Sequence, residues 1–230
     1  MIKIRSQHGF TLIEMAIVLV ILGFLLGGVL SPLAARQEQD RRDENAELLE
    51  KAREALIGFA LVNGRLPCPD TDAPGSATSG QENAGCSILA TVAHADRLPW
   101  VTLGVVGEHD AWGAPDEIRY SVNGAFTTGF SLSTAGSGNG IINIHNTATS
   151  CGTANNMVAM NVPALIWSTA KTDYANQTPA RADEAENDND DRCYVYREYS
   201  GLNNQEFDDQ MVWLSPNVLF NRMIEAGVLP

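Results

Sequence analysis

Glu14 is the one charged side chain in the run from Phe10 to Leu30. At membrane depth a carboxylate costs roughly 2.5–3.5 kcal/mol, so a chain that keeps one there needs to give it a partner. Two other groups of residues have chemistry to offer. The cysteines at 68, 86, 151 and 193 contain no CxxC pair and no partnering histidine cluster, which argues against zinc. His94, His109 and His145 lack a recognisable nucleophile context, which argues against a catalytic thiol. Disulfides are the remaining chemistry, with three pairings open. Cys68 and Cys86 bracket a loop of Asp, Gly, Ser and Pro with little means of ordering itself, which favours Cys68 with Cys86 and Cys151 with Cys193. The third group is acidic: Asp183, Glu184, Glu186, Asp188, Asn189, Asp190 and Asp191, with Asp208 and Asp209 further on. Calcium needs six to eight oxygens on a flexible loop, and Asp188, Asp190, Asp191, Asp208 and Asp209 are its candidate ligands. The Asp188-x-Asp190 spacing matches an EF-hand over three residues only, without the turn glycine or closing glutamate, so a solvated acidic loop is the simpler reading.

A basic leader with Lys3 and Arg5, then Gly9, Phe10, Thr11, Leu12, Ile13 and Glu14, then an unbroken apolar stretch, resembles the class III signal of type IV prepilins and type II secretion pseudopilins. The resemblance implies that a membrane-embedded prepilin peptidase cuts between Gly9 and Phe10 and methylates the new amino terminus. It implies as partners that peptidase and methyltransferase, other pilin or pseudopilin subunits, an inner-membrane assembly platform, and membrane lipid before assembly. Cleavage there leaves a cationic α-amine one helical turn from Glu14. The amine and the carboxylate can pair within one helix or between neighbours. The resemblance favours the neighbour, which makes Glu14 an assembly check. A second motif, Asp110-Ala111-Trp112-Gly113-Ala114-Pro115, resembles the Asp-x-Trp-Gly-x-Pro turn that leads into the first sheet strand of major pseudopilins. Some of those also carry calcium in C-terminal loops, although their ligands do not align residue by residue with this chain.

Two plainer readings of the N-terminus leave Glu14 unexplained. A secretory signal cut near Leu33-Ala34-Ala35 has no use for it, and neither has an uncleaved anchor, although Phe10 to Leu30 as a helix spans about 32 Å, a bilayer's hydrocarbon thickness. Lys3 and Arg5 before the span put the rest of the chain on the periplasmic side. With 28 acidic and 15 basic side chains the chain carries −13, and removing the leader takes it to −15. That charge repels nucleic acid, and the one basic cluster, Arg36, Arg41 and Arg42, sits among acids. Ala135 to Gly140 lacks the Lys-Ser/Thr ending of a phosphate-binding loop and reads as a β connection. No triad, paired catalytic carboxylates or cofactor fingerprint stands out, so no enzyme is expected.

These residues need elements to hold them. Leu49, Ala52, Leu56 and Phe59, flanked by Leu48, Ala55 and Val62, recur at helical spacing with charges opposite, and Ser31-Pro32 predicts a kink ahead of them. Asn63-Gly64 ends the helix. Strands are predicted at 118–122, 126–132, 141–145, 157–160, 165–168, 194–199 and 211–214, with Asn123-Gly124 turning a hairpin between the first two. A last helix begins at Ser215-Pro216 and ends before Gly227. The expected fold is therefore α+β and pilin-like: a long N-terminal helix packed on an antiparallel sheet. Its segments are a leader at 1–9, a transmembrane and assembly half at 10–30, an amphipathic half at 31–62, and a β-rich periplasmic head at 63–230. The expected protein is a single-pass inner-membrane subunit that polymerises into a pilus or pseudopilus, the alternative being a minor pilin whose large head acts at a filament tip as adhesin or cargo reader.

Overall fold

The computed structural model describes residues 11–83, 86, 93–113, 117–129, 131, 133, 142–189 and 192–229, leaving out the side chains of 25–32, 93 and 94. Helix α1 runs Leu12–Asn63 and is followed by β1 (Ala93–Arg97), α2 (Trp100–Leu103), β2 (Arg119–Asn123), β3 (Ile142–His145), β4 (Met157–Val162), β5 (Ala164–Ser168), α3 (Ala182–Asn187), β6 (Cys193–Val195), β7 (Gln210–Leu214) and α4 (Pro216–Glu225). The chain divides into two compact units, 1–41 and 42–230. The second therefore includes the last part of α1 together with everything that follows it.

In the first unit the backbone stays α-helical through Ser31 and Pro32. Large apolar side chains such as Leu12, Ile13, Ile17, Leu19 and Phe24 are exposed along it. Among the described residues, no helix is long and apolar enough to cross a membrane.

In the second unit α1 buries Asn45, Leu49, Ala52, Leu56, Ile57 and Ala60. The predicted stripe differs at its end: Phe59 is half-buried, with the Arg65 guanidinium 5.3 Å from its ring centroid, and Val62 is 85% exposed. After Leu56 the helical repeat allows continuation at i+3 or at i+4, and packing selects Ala60 over Phe59.

Strands β1, β2, β5 and β7 form a four-stranded sheet in that order, antiparallel throughout. A second sheet, ordered β4-β3-β6, combines an antiparallel pair with a parallel one, β3 with β6. Strand β5 is buried along its whole length. Its alternate residues serve two cores, Ala164 and Ile166 joining α1 and α4, while Leu165 and Trp167 join Ile142, Ile144, Val162, Tyr194 and Met211. The Trp167 and Tyr194 rings meet at 5.2 Å.

Several expectations are corrected. Among the described residues of 126–132 none is in a strand: the Asn123 side chain accepts from the Ala125 N–H at 3.0 Å and opens a 3-10 turn, Gly124–Phe126, that buries Phe126. Strand β2 pairs with β1 and β5, neither of them its predicted hairpin partner. The strand expected at 194–199 is only Cys193–Val195. The loop between Cys68 and Cys86 also has more order of its own than its composition suggests. Arg65 grips Glu82 through two bonds of 2.8 and 2.7 Å, Tyr120 donates to the Pro67 carbonyl at 3.0 Å, and the Gly80 N–H donates to Asp70 at 2.7 Å. Gly80 has φ +81°, and a Cβ there would lie 2.5 Å from the Trp100 ring. The disulfides are Cys68–Cys86 and Cys151–Cys193, with Cα separations of 5.7 and 5.8 Å.

Leu56 is 1% exposed in the core beneath the sheet. Leu56→Ala is expected to cost about 2–5 kcal/mol, read as a lowered denaturant midpoint with the m-value unchanged.

Candidate functional site

The acidic run, read from the sequence as a loop, contains a six-residue helix, α3. Asp183 anchors its start by accepting from the Ala148 N–H at 2.9 Å and from Arg197 at 2.8 Å. The inward face carries Glu184 and Asn187, 2% and 1% exposed. Asn187 accepts from the Val195 N–H at 2.7 Å and donates to the Val195 carbonyl at 3.1 Å, closing α3 against β6.

Glu184 meets Asp208 and Asp209, the two residues that lead into β7. All three are buried, and one carboxylate oxygen of each lies within 4.8 Å of the others. The donors that reach them are amides. Glu184 accepts from the N–H groups of Asp208 at 2.7 Å and Tyr174 at 3.0 Å, Asp208 Oδ2 from Thr172 N–H at 3.1 Å, and Asp209 Oδ2 from the Asn187 side chain at 2.7 Å. Asp208 Oδ1 is buried with no hydrogen-bond partner. Loss of hydration raises the Glu184 carboxyl to about 7. Burial, then the charge of Glu184, raises Asp208 to about 8. The same two causes hold Asp209 well above the ordinary carboxylate range.

Of the predicted calcium ligands, Asp208 and Asp209 thus come together with a residue not foreseen, Glu184. Asp188 caps the end of α3 and is exposed, apart from the cluster. Asp190 and Asp191 lie outside the described residues, as do Ala135 to Gly140. The signal for Glu184 was present in Ala182-Asp183-Glu184-Ala185-Glu186-Asn187, where good helix formers place positions 184 and 187 on one face. Both disulfides consume all four cysteines, leaving none free.

The Asp110 turn is a polar junction. Asp110 Oδ1 accepts from the Trp112 N–H at 2.8 Å and Oδ2 from the Ser168 hydroxyl at 2.6 Å, and Gly113 closes the turn with φ +85°. The Asn45 side chain on α1 donates to Gln210 of β7 at 2.7 Å. Beside that junction a pocket of about 360 Å³ is walled by Arg42, Tyr199, Asp208, Asp209 and Gln210, with the Arg42 guanidinium 3.5 Å over the Tyr199 ring. Tyr196 and Tyr199, predicted on a strand, follow the end of β6, and Tyr196 packs edge-on against Trp213 at 5.2 Å.

At the N-terminus, Gly9 and Phe10 lie outside the described residues. Glu14 is exposed and engaged locally: its Oε2 accepts from the Thr11 N–H at 2.9 Å and the Thr11 hydroxyl at 2.8 Å, while the Glu14 N–H donates to Thr11 Oγ1 at 3.3 Å. This is a capping box, legible as Thr-x-x-Glu ahead of an apolar run.

Residues 4–30 match the family model described as the prokaryotic N-terminal methylation motif. The segment is the class III signal of type IV pilins and pseudopilins, and it implies processing by a prepilin peptidase and assembly with other pilin subunits. No curated protein and no solved structure is detectably similar to the chain.

Protons held by the folded cluster and released on unfolding make stability fall as pH rises. With divalent cations chelated, the full contribution is present below about pH 4, the ordinary range of unfolded Asp and Glu. It is lost as pH rises through about 7 and about 8. The expected slope is up to about 1.4 kcal/mol per pH unit for each titrating group. Asp209→Asn is expected to flatten it, as read from denaturant midpoints between pH 4 and 8.

Proposed function

We propose that this chain is a filament subunit, cleaved after Gly9 and N-methylated at Phe10, that polymerises through its N-terminal helix into a type II secretion pseudopilus or a type IV pilus. The observation that carries this reading is the methylation motif at residues 4–30, with Glu14 alone in its apolar run. The apolar surface exposed along residues 12–24 is what lipid covers before assembly and neighbouring helices cover afterwards. In the mature subunit the Phe10 amine of one copy pairs with Glu14 of the next. The second unit then stands in the periplasm and forms the filament surface.

A second reading, a minor pilin at a filament tip, is favoured by the pocket beside Arg42 and Tyr199, which a purely structural subunit does not require. Copy number per filament separates the two, because a tip subunit occurs once or a few times and a body subunit throughout.

Mass spectrometry of protein from a host with the peptidase is expected to find N-methyl-Phe10 as the first residue; an intact Met1, or a start near Arg36, contradicts both readings. Glu14 has two roles to separate. Thr11→Ala removes the capping hydroxyl, at about 1 kcal/mol of helix-start stability, and keeps the carboxylate. Glu14→Ala removes the carboxylate, with its own part of the cap, and keeps the Thr11 hydroxyl. Subunit pairing predicts that Glu14→Ala depletes the chain from filaments while Thr11→Ala leaves incorporation near normal. Equal losses from the two variants assign Glu14 to capping alone.

A further inference from the structure

Strand β7 ends the four-stranded sheet, and among the described residues it pairs with β5 alone. In an antiparallel pair every second residue turns its N–H and C=O away from the partner, so the outer side of Gln210–Leu214 presents backbone donors and acceptors with no strand to take them. That edge is the floor of a cleft. Along one side runs α1, with Arg42, Ala46 and Leu49 on the pocket of about 360 Å³ and Glu50 and Arg53 on a second of about 340 Å³. These positions share one face of the helix. Along the other side runs the segment after β6, with Tyr196 in both pockets and Tyr199 in the first. Met211 and Val212 also line both, so the two pockets are one cleft that follows β7. From Arg42 to Arg53 the helix rises about 16 Å, the length of about five extended residues.

Val212 leans toward the α1 core, Met211 and Trp213 toward the other. A strand added here therefore sets alternate side chains against Ala46 and Val212 on one wall and against Tyr196 and Trp213 on the other. Arg42 and Arg197 bring two positive charges to the Tyr199 end and Glu198 one negative, in a chain of −13, while Asp208 and Asp209 beside them hold their protons near neutral pH. The ring faces on which a sugar would stack are engaged: Arg42 lies 3.5 Å over Tyr199, and Tyr196 meets Trp213 edge-on. The β7 of a second copy lies on the floor of the same walled cleft and cannot approach to the ~4.8 Å that strand pairing requires.

We propose that the cleft beside β7 binds an extended acidic segment of a partner protein, which adds a strand to the sheet and sets a carboxylate side chain at Arg42. This deepens the tip-subunit reading, whose pocket it uses, and its test reads binding in solution, separately from copy number in filaments.

The probe is a library of short random peptides displayed between fixed flanks, so that none has a free C-terminus, panned on the full chain in detergent micelles. Enriched peptides, resynthesised with acetyl and amide ends, are expected to share an Asp or Glu beside alternating apolar residues. Arg42→Glu is expected to weaken them roughly tenfold or more, the scale of one lost hydrogen bond to a charged group. Ala46→Trp fills the cleft from an exposed helix position and is expected to abolish binding with the unfolding temperature unchanged. Strand addition also predicts that N-methylating every second peptide amide removes binding, while methylating the intervening ones leaves it within about twofold. Failure to enrich any peptide overturns the proposal, as does binding that survives Ala46→Trp or responds equally to both methylation patterns. Glycan binding or self-association that is lost in Ala46→Trp, with no peptide enriched, gives the cleft to that occupant and overturns it too.

Discussion

Strand β5 has no solvent face. Ala164 and Ile166 point into the core shared with α1 and α4, and Leu165 and Trp167 into the core shared with the second sheet. Five consecutive buried residues leave no position where a polar group is tolerated without a partner, and Ser168 at the strand's end satisfies that condition by donating to Asp110. The neighbours inherit the constraint. Register with β2 and β7 is set because a slip of one residue would exchange the two cores' side chains, sending Trp167 toward α1 and Ile166 toward Tyr194.

Around this apolar axis the head is closed by buried polar groups. Asn45 ties α1 to β7, Asp110 ties its turn to β5, Asn187 ties α3 to β6, and Asp70 holds Gly80 beside Trp100. Each is a side chain spending its hydrogen bonds on backbone, amide or hydroxyl groups that would otherwise be buried unpaired. The carboxylate cluster is drawn together in the same way, by the amide donors of Thr172, Tyr174, Asn187 and Asp208.

The two units answer to different surroundings. Residues 12–24 expose apolar side chains that water does not favour. The unit from Arg42 onward buries its apolar residues and carries disulfides suited to an oxidising compartment.

What the sequence determined alone was whatever depends on neighbours along the chain. The signal at 9–14, the helical repeat through Leu49, Ala52 and Leu56, the α4 boundaries at Ser215-Pro216 and Gly227, and most strand cores are local patterns of hydrophobicity and turn chemistry. Thr11-x-x-Glu14 is equally local, since its capping bonds join residues three apart. Tertiary packing decided the rest. Asn123-Gly124 has the composition of a hairpin turn but caps a 3-10 turn, because Phe126 finds its place in the core and the edge of β2 is taken by β1. The choice between Phe59 and Ala60 on α1, the parallel pairing of β3 with β6, and the meeting of Glu184 with Asp208 and Asp209 across 24 or more residues all depend on contacts between distant segments. No periodicity encodes such a contact, since it exists only once both segments have been folded against a common core.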